Sequence, residues 1–388
     1  MSAPTLSTPL VLRGVTLPNR LVVAPMCQYS VVEGVVGDHH LVHLGRFALG
    51  GFGTVVVEAT AVTRDGRISH GDVGLWDDGQ VAGLARVAAF LREHGAVPAV
   101  QLAHAGGKAS SHRPWDGEGP VTAADALPGE EPWQTVGPSE VPLGEGWPTP
   151  HALTTDELAA LVQDWVAATH RAEQAGFDVV EVHAAHGYLL NEFLSPLTNT
   201  RTDGYGGSLE ARMRFPLEVV AAVRAAWPAD KPLLVRVSSV DGAADGTTIE
   251  DTVAFARELA ALGVDAVDAS GGGIGGGWQH PIGYGYQVPF AAAIKEGSGL
   301  PTMAVGIITE PAQAEAVLAT GQADLVALAR AAQDDPNWPL HAARELSGGS
   351  YDAWPVQSGP RLASRDRLLG SIGPWTGPDP VQLAPPRS

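Results

Sequence analysis

The chain reads as an α/β protein, a (β/α)8 TIM barrel, and three observations carry that reading. Eight short apolar runs recur over about 330 residues, at 21–26, 53–62, 97–104, 179–185, 233–239, 266–271, 302–308 and 325–330. Most of them are followed by a helix-compatible stretch, as repeated βα units require. Val, Ile, Leu and Ala fill the runs without strict alternation, the pattern of strands buried on both faces of a parallel sheet. A two-domain doubly wound sheet is the weaker option for the same pattern.

Each element has a local reason. Amphipathic stretches at 156–175, 209–227, 250–262 and 311–320 supply helices between the runs. Thr154 with Glu157, and Thr247 with Glu250, have capping-box spacing at two helix starts. His39, His40 and His43 fall where a helix begins after the first strand. Residues 105–151, after the third strand, are rich in Pro and Gly and hold Trp115, Trp133 and Trp147. That stretch is too long for an ordinary connection and reads as a cap over the barrel mouth. From Ser347 the chain is again rich in Pro and Gly, with Trp354, Arg361, Arg365, Arg367 and Trp375, and no regular element is expected there. The division is a barrel over 1–346, including the cap at about 105–151, and an extended C-terminal tail over 347–388, either disordered or docked on a neighbouring subunit.

Composition narrows the function. At 388 residues and 45% hydrophobic, the chain can bury a large core. Lys plus Arg number 24 against 43 Asp plus Glu, a net charge of −19, which repels nucleic acid and anionic membrane. Any bound phosphate must therefore meet a few local cations. A single cysteine, Cys27, excludes an internal disulfide framework and a cluster held by four of this chain's thiolates. With no signal-peptide layout and no run long enough to span a bilayer, a soluble cytoplasmic protein is expected.

In such a barrel, chemistry sits at the C-terminal ends of the strands. The first strand delivers Ala24, Pro25, Met26, Cys27, Gln28 and Tyr29; the second, Glu58 and Ala59; the third, Gln101 and His104. The fourth ends in His183, His186 and Tyr188, and the fifth contributes Arg236. The seventh and eighth end in Gly306 and in Ala329 with Arg330, where this fold commonly binds phosphate. Two neutral imidazoles aim N–H donors at one oxygen, and a nearby phenol delivers a proton, which is equipment for polarising a carbonyl. The alternatives are a metal pair or packed histidines. A buried Arg236 needs an anionic or electron-rich partner, or pairs with Glu181 or another core carboxylate.

The chain resembles the old yellow enzyme family of FMN-dependent ene-reductases, most closely its thermophilic-like branch, from about residue 17 to 348. The resemblance is carried by Asn19-Arg20-Leu21-Val22-Val23-Ala24-Pro25-Met26-Cys27-Gln28-Tyr29-Ser30, by Gln101-Leu102-Ala103-His104-Ala105-Gly106, and by the run 181–207. That run holds Glu192-Phe193-Leu194-Ser195-Pro196 and Arg201-Thr202-Asp203-Gly204-Tyr205-Gly206-Gly207. It implies tightly bound FMN, with Ala24, Pro25, Met26, Cys27, Ala59, Gln101 and Arg236 at the flavin ring and Gly306, Ala329 and Arg330 at its phosphate. It also implies His183 and His186 on the substrate carbonyl, Tyr188 as proton donor, Tyr29 as a second phenol in the pocket, and Cys27 tuning the flavin. NADPH or NADH reduces the flavin and an α,β-unsaturated carbonyl compound then reoxidises it, a ping-pong scheme; nitro-compound reduction uses the same reduced flavin. A homodimer or homotetramer is the family expectation.

Departures from the branch are visible. Ala329 stands where Gly is frequent, and His104-Ala105-Gly106-Gly107-Lys108 lacks one cation of the usual motif. Arg361 is the nearest match to an arginine that reaches a neighbouring subunit's site. Gly271, Gly273 and Gly276 satisfy G-x-G-x-x-G, yet they run into Trp278 and Pro281 and open no helix, so a barrel loop is expected. Two rivals stay open at this point. One is a metal-dependent hydrolase using His104, His183 and His186; the other is a flavin-binding protein that has lost turnover.

Overall fold

The structure is a computed structural model, and it describes residues 4–117, 119–275, 277–372 and 374–377. Eight strands close a barrel, each inside one of the apolar runs: β1 Leu21–Val23, β2 Thr54–Ala61, β3 Val97–Ala103, β4 Val179–Ala184, β5 Leu233–Ser238, β6 Ala266–Ser270, β7 Thr302–Ala304 and β8 Leu325–Leu328. They hydrogen-bond in sequence order, β8 returning to β1, and every pairing is parallel.

Helices cover the outside: α1 Asp38–Leu49, α2 Val81–Glu93, α3 Thr155–Gln174, α4 Leu209–Ala226, α5 Ile249–Ala261, α6 Val288–Ser298, α7 Pro311–Ala319 and α8 Trp338–Leu346. The three histidines of the N-terminal cluster lie on or beside the first turns of α1, with His40 and His43 buried. Thr154 caps α3 in the expected reciprocal box with Glu157. The second box is one residue later than expected: Thr248 and Asp251 cap α5. Thr247 is instead turned inward, its N–H donating to Asp241 Oδ2 at 2.7 Å. The buried Asp241, which takes the Thr247 N–H, shifts the cap by one residue.

Two apolar layers result. Strand outer faces pack on the helices, with Trp165, Phe177, Phe215 and Phe255 buried between them. Inside the barrel, an antiparallel hairpin, Leu10–Leu12 with Val15–Leu17, seats Leu12 and Leu17 against Val22, Val56, Ala99, Val179 and Leu325. These lie low on the strands, so the N-terminal end is plugged and the C-terminal end is left for polar groups.

The 105–151 excursion folds over that C-terminal end. Trp133 Nε1 donates to the Asp65 carbonyl at 2.8 Å, and Arg113 bonds Glu130 and reaches the Tyr29 carbonyl at 3.3 Å. The cap is thereby tied to the loops that follow β1 and β2.

The tail corrects the expectation of no regular element: it contains a helix, α9 Gly359–Ile372. Pro and Gly dominate the composition of the whole tail but lie mostly outside 361–369, whose Leu, Ala, Arg and Ser residues suit a helix once Pro360 starts it. Asp366 anchors α9 to the barrel, accepting from Arg344 at 2.7 Å and from the Tyr351 hydroxyl at 2.6 Å. Arg361, Arg365 and Arg367 are exposed. Residues 378–388 of the expected tail lie outside the described residues, as does Gly276 of the glycine motif. Among the described residues, no helix is long and apolar enough to cross a membrane.

Candidate active site

Strand register places the polar residues in one layer at the barrel mouth. Gln101 on β3 is opposite Glu181 on β4, His183 on β4 is opposite Arg236 on β5, and Arg236 is opposite Asp268 on β6. Gln101 Nε2 donates to Glu181 Oε1 at 2.7 Å, and Arg236 Nε lies 2.9 Å from Asp268 Oδ2. The core carboxylate facing Arg236 is therefore Asp268. That contact is poorly aligned, and Arg236 Nε, both Asp268 oxygens and Glu181 Oε2 are buried without a hydrogen-bond partner. Burial and the neighbouring Asp268 push the Glu181 carboxyl up, while burial raises Asp268 itself against the pull of Arg236. Two buried carboxyls near one guanidinium disfavour both being ionised at once.

Beside this layer opens a cavity of about 530 Å³, lined by Ala24, Arg236, Ser270, Gly306, Ala329 and Arg330 among others. Gly306 has φ +105°, and a β-carbon there would come within 3.1 Å of the Gln287 side chain, so the turn that lines the cavity favours glycine. Arg330, also on the cavity wall, is exposed. Ala59 and Gln101 are buried, whereas Pro25, Met26 and Cys27 are half-buried on the turn that leaves β1. A bulge between Val57 and Thr60 accompanies that turn. Within it, Glu58 accepts the Gln28 N–H at 2.9 Å and meets His40 Nε2 at 3.1 Å.

His183, His186 and Tyr188 converge at the end of β4. The rings of His183 and His186 meet edge to face with centroids 5.1 Å apart, and His183 and Tyr188 do so at 5.0 Å. His183 Nε2 and His186 Nδ1 are 3.4 Å apart. His186 Nε2 lies 2.7 Å from Ser270 Oγ. His186 sits at φ +61°, a left-handed conformation uncommon for a residue with a β-carbon. Its N–H donates to Ser238 Oγ at 2.8 Å and its carbonyl accepts Lys108 Nζ at 2.7 Å, which hold that conformation. Lys108 also donates to the Gly273 carbonyl at 2.7 Å, clamping the loop after β6 onto the histidine turn.

The electrostatics give each group a protonation state. Burial, then the Arg236 charge, pushes both imidazoles well below the usual histidine range, so both are neutral. Burial, with Cys27 and Asp72 nearby, pushes the Tyr188 phenol well above its usual range, and burial does the same for Tyr29 and the Cys27 thiol. All three keep their protons at neutral pH. Burial lowers Lys108 to about 8 and raises Glu192, which accepts the Gly107 N–H, to about 8.

His104 takes no part in that convergence. Its Nδ1 accepts the Gly106 N–H at 3.1 Å. Among the described residues, no group of three or more His, Cys, Asp or Glu is arranged to hold a metal ion.

Ser238, Asp268, Ser270 and Gln287 also contribute and belong to no motif, and Lys108 of the 104–108 motif acts as a clamp rather than as a cap cation. For Asp268 and Ser270 a signal existed, since both are polar residues inside an apolar run, close to its C-terminal end. Lys108 and Gln287 come from loops, and nothing local announces where those loops return.

Known proteins resemble this chain over most of its length. A family model, NADH:flavin oxidoreductase / NADH oxidase, matches residues 5–348. The NADPH dehydrogenase of Geobacillus thermodenitrificans is 45% identical over 354 residues, covering 91% of this chain and 97% of the relative. Morphinone reductase superposes with a TM-score of 0.73 at 30% identity, covering 90% of this chain and 91% of that one. A 2-naphthoyl-CoA reductase superposes with a TM-score of 0.77 at 26% identity, and this chain, 89% of it covered, spans about half (52%) of that longer protein. A cavity lined by the Arg236 and Arg330 guanidiniums and the Gly306 turn, with Arg236 Nε buried and unsatisfied, suits a planar polar ring carrying a phosphate. The chain belongs to the NADH:flavin oxidoreductase / NADH oxidase family, the old yellow enzyme family that its sequence resembles, and is an FMN oxidoreductase.

Proposed function

We propose that this NADPH-dependent flavoenzyme is an ene-reductase, reducing the activated C=C bond of α,β-unsaturated carbonyl compounds. The observation that carries the reading is the 3.4 Å approach of His183 Nε2 to His186 Nδ1, both neutral, beside a protonated Tyr188. Bound FMN supplies the two-electron chemistry of its ring. Arg236 and Gln101, with Ala24, Pro25, Met26, Cys27 and Ala59, are the residues that would hold that ring; Gly306, Ala329 and Arg330 would hold its phosphate. The cation of Arg236 favours negative charge on the ring, and the half-buried Cys27 presents a neutral thiol to it.

The two imidazoles act on the substrate. An oxygen about 2.9 Å from both facing nitrogens closes a triangle with an angle near 70° at the oxygen, within the broad range a carbonyl accepts. Their fixed donors stabilise the enolate charge that develops there. Tyr188 protonates the α-carbon, a far stronger base than the phenolate left behind. Tyr29 packs with Cys27 and Tyr188 around Ala59 and Ala103 and would offer a second phenol to the substrate; NADPH and the enone would alternate over the ring. Nitro compounds present the same oxygen acceptors and are a second substrate class; NADH as an alternative donor is a matter for the same assay.

The test is a spectrum of the purified protein, an anaerobic titration with NADPH, and a chase with 2-cyclohexenone. A yellow protein that bleaches with NADPH and recovers its colour with the enone supports the reading. One that bleaches but is not reoxidised refutes it. Tyr188→Phe should slow the recovery by about 10²–10⁴-fold; recovery at the parent rate means that another group gives the proton.

A further inference from the structure

The inference rests on the carbonyl-binding reading above and concerns which nitrogen of His186 carries its proton. A neutral imidazole has one N–H and one lone pair, so the tautomer decides what each edge binds. His183 is settled by its backbone: Nδ1 accepts the Ala185 N–H at 3.3 Å, so the proton sits on Nε2, facing His186. Among the described residues, the His186 ring has no such backbone partner. Its Nδ1 faces His183 Nε2 at 3.4 Å and its Nε2 faces Ser270 Oγ at 2.7 Å.

Those contacts admit two arrangements. With no ligand between the rings, His183 Nε2–H donates to His186 Nδ1, and His186 Nε2–H donates to Ser270. A substrate oxygen between the rings needs donors on both sides, which requires the proton of His186 to be on Nδ1. Nε2 is then a lone pair facing Ser270 Oγ at 2.7 Å and needs a donor of its own. A hydroxyl serves either arrangement, because it both donates and accepts.

We propose that Ser270 is a positioning residue that stabilises the Nδ1–H form of His186 when a carbonyl or phenolate oxygen lies between the two imidazoles. Balance is simple: His186 gives its Nε2 proton to water and takes one from water at Nδ1, while the Ser270 hydroxyl turns from acceptor to donor. No carbon bond changes and no oxidant or reductant is consumed. Ser270 is built for this, buried at the C-terminal end of β6 with its carbonyl accepting the Ser239 N–H at 2.9 Å. The neighbouring hydroxyl cannot replace it: Ser238 Oγ accepts the His186 N–H and donates to the Gly272 carbonyl at 2.6 Å.

The experiment uses the FMN-loaded full chain with ¹⁵N-labelled histidine, and 4-nitrophenolate as an oxygen-anion probe. Long-range ¹⁵N–¹H spectra report the protonated nitrogen of His186, assigned against His186→Gln. In the parent, probe binding should place the proton on Nδ1. Ser270→Ala leaves the Nε2 lone pair unsatisfied in the complex, so the probe should bind roughly tenfold to a hundredfold more weakly. Ser270→Thr, which keeps the hydroxyl, should restore binding and the Nδ1–H signal, a rescue that simple disruption of packing does not predict. Retained flavin absorbance reports that each variant is folded. The proposal is overturned if His186 keeps its proton on Nε2 in the parent complex, or if Ser270→Ala binds the probe within twofold of the parent. If the parent complex shows Nδ1–H but the enzyme does not turn over 2-cyclohexenone, the ene-reductase reading fails and the Ser270 assignment stands.

Discussion

Replacing His183 by alanine removes one of two donors aimed at a single oxygen, and the structure sets how much that should cost. The ring is neutral, its Nε2–H is fixed by the Ala185 N–H on its other nitrogen, and 3% of the residue is exposed. Such a donor is already aligned and shielded from water, and losing one costs about 2.7–4 kcal/mol, or about 10²–10³ in rate, where negative charge develops on the oxygen. The two half-reactions should respond differently. As the enone is reduced, charge builds on its oxygen, so the donor counts fully. As the nicotinamide reduces the flavin, its ring becomes cationic, so a donor near its carboxamide aids binding more than rate. Stopped-flow measurement of each half-reaction separates them. The enone step in His183→Ala should fall by about 10²–10³, and the limiting rate of flavin reduction by NADPH by less than about tenfold. Equal losses in both, or an enone loss under about fivefold, refute the assignment. Because burial holds both imidazoles far below 6.5, the parent enone step should show no imidazole titration near that value.

Three further predictions concern stability and assembly. Glu192 keeps its proton to about pH 8 in the folded state against 4.5 when unfolded, so its contribution is complete below pH 4.5 and is lost as pH rises through about 8. Glu192→Gln cannot ionise, so by calorimetry its Tm relative to the parent should be higher at pH 8.5 than at pH 5; equal differences would show that Glu192 does not titrate in that window. Gly187 lies at φ +73°, and a β-carbon there would lie 2.2 Å from the Gly273 carbonyl oxygen. Gly187→Ala should therefore lose more than the roughly 1–2 kcal/mol of left-handed strain alone and lower Tm by several degrees; an unchanged Tm would mean the loop after β6 yields freely. Removing residues 350–388 breaks part-exposed contacts, among them Arg344 with Asp366 and the Tyr351 ring and His341 with the Trp354 ring, so the Tm should move by a few degrees at most. The excised helix exposes Leu368, Leu369 and Ile372 together with Arg361. If the tail joins subunits, light scattering should show a smaller assembly and the enone KM should rise; no change in either makes the tail an appendage.

The barrel was legible because its strands are buried on both faces. Burial demands the unbroken β-branched runs, and the runs repeat eight times, so each observed strand falls inside its predicted segment. The C-terminal-end rule then led to Cys27, Gln101, His183, Tyr188 and Arg236 without coordinates. Spacing alone did not place one helix cap. Thr247-Glu250 has the box spacing, but Thr248 and Asp251 form the cap, because the buried Asp241 takes the Thr247 N–H. The tail helix was hidden by the flanking Pro and Gly residues.

What the sequence by itself determined is which side chains reach the mouth: period and strand direction are local properties, and they place a residue at an end and on a face. Only the tertiary structure decided what those side chains do to one another. Arg236 meets Asp268 rather than Glu181, the Lys108 ammonium clamps a loop 165 residues away, and Ser270 stands 2.7 Å from His186 across 84 residues of chain. Protonation states follow from the same closure. A histidine's tautomer and a carboxyl's proton depend on burial and on partners a few ångströms away, and those distances exist only once the eight strands have met.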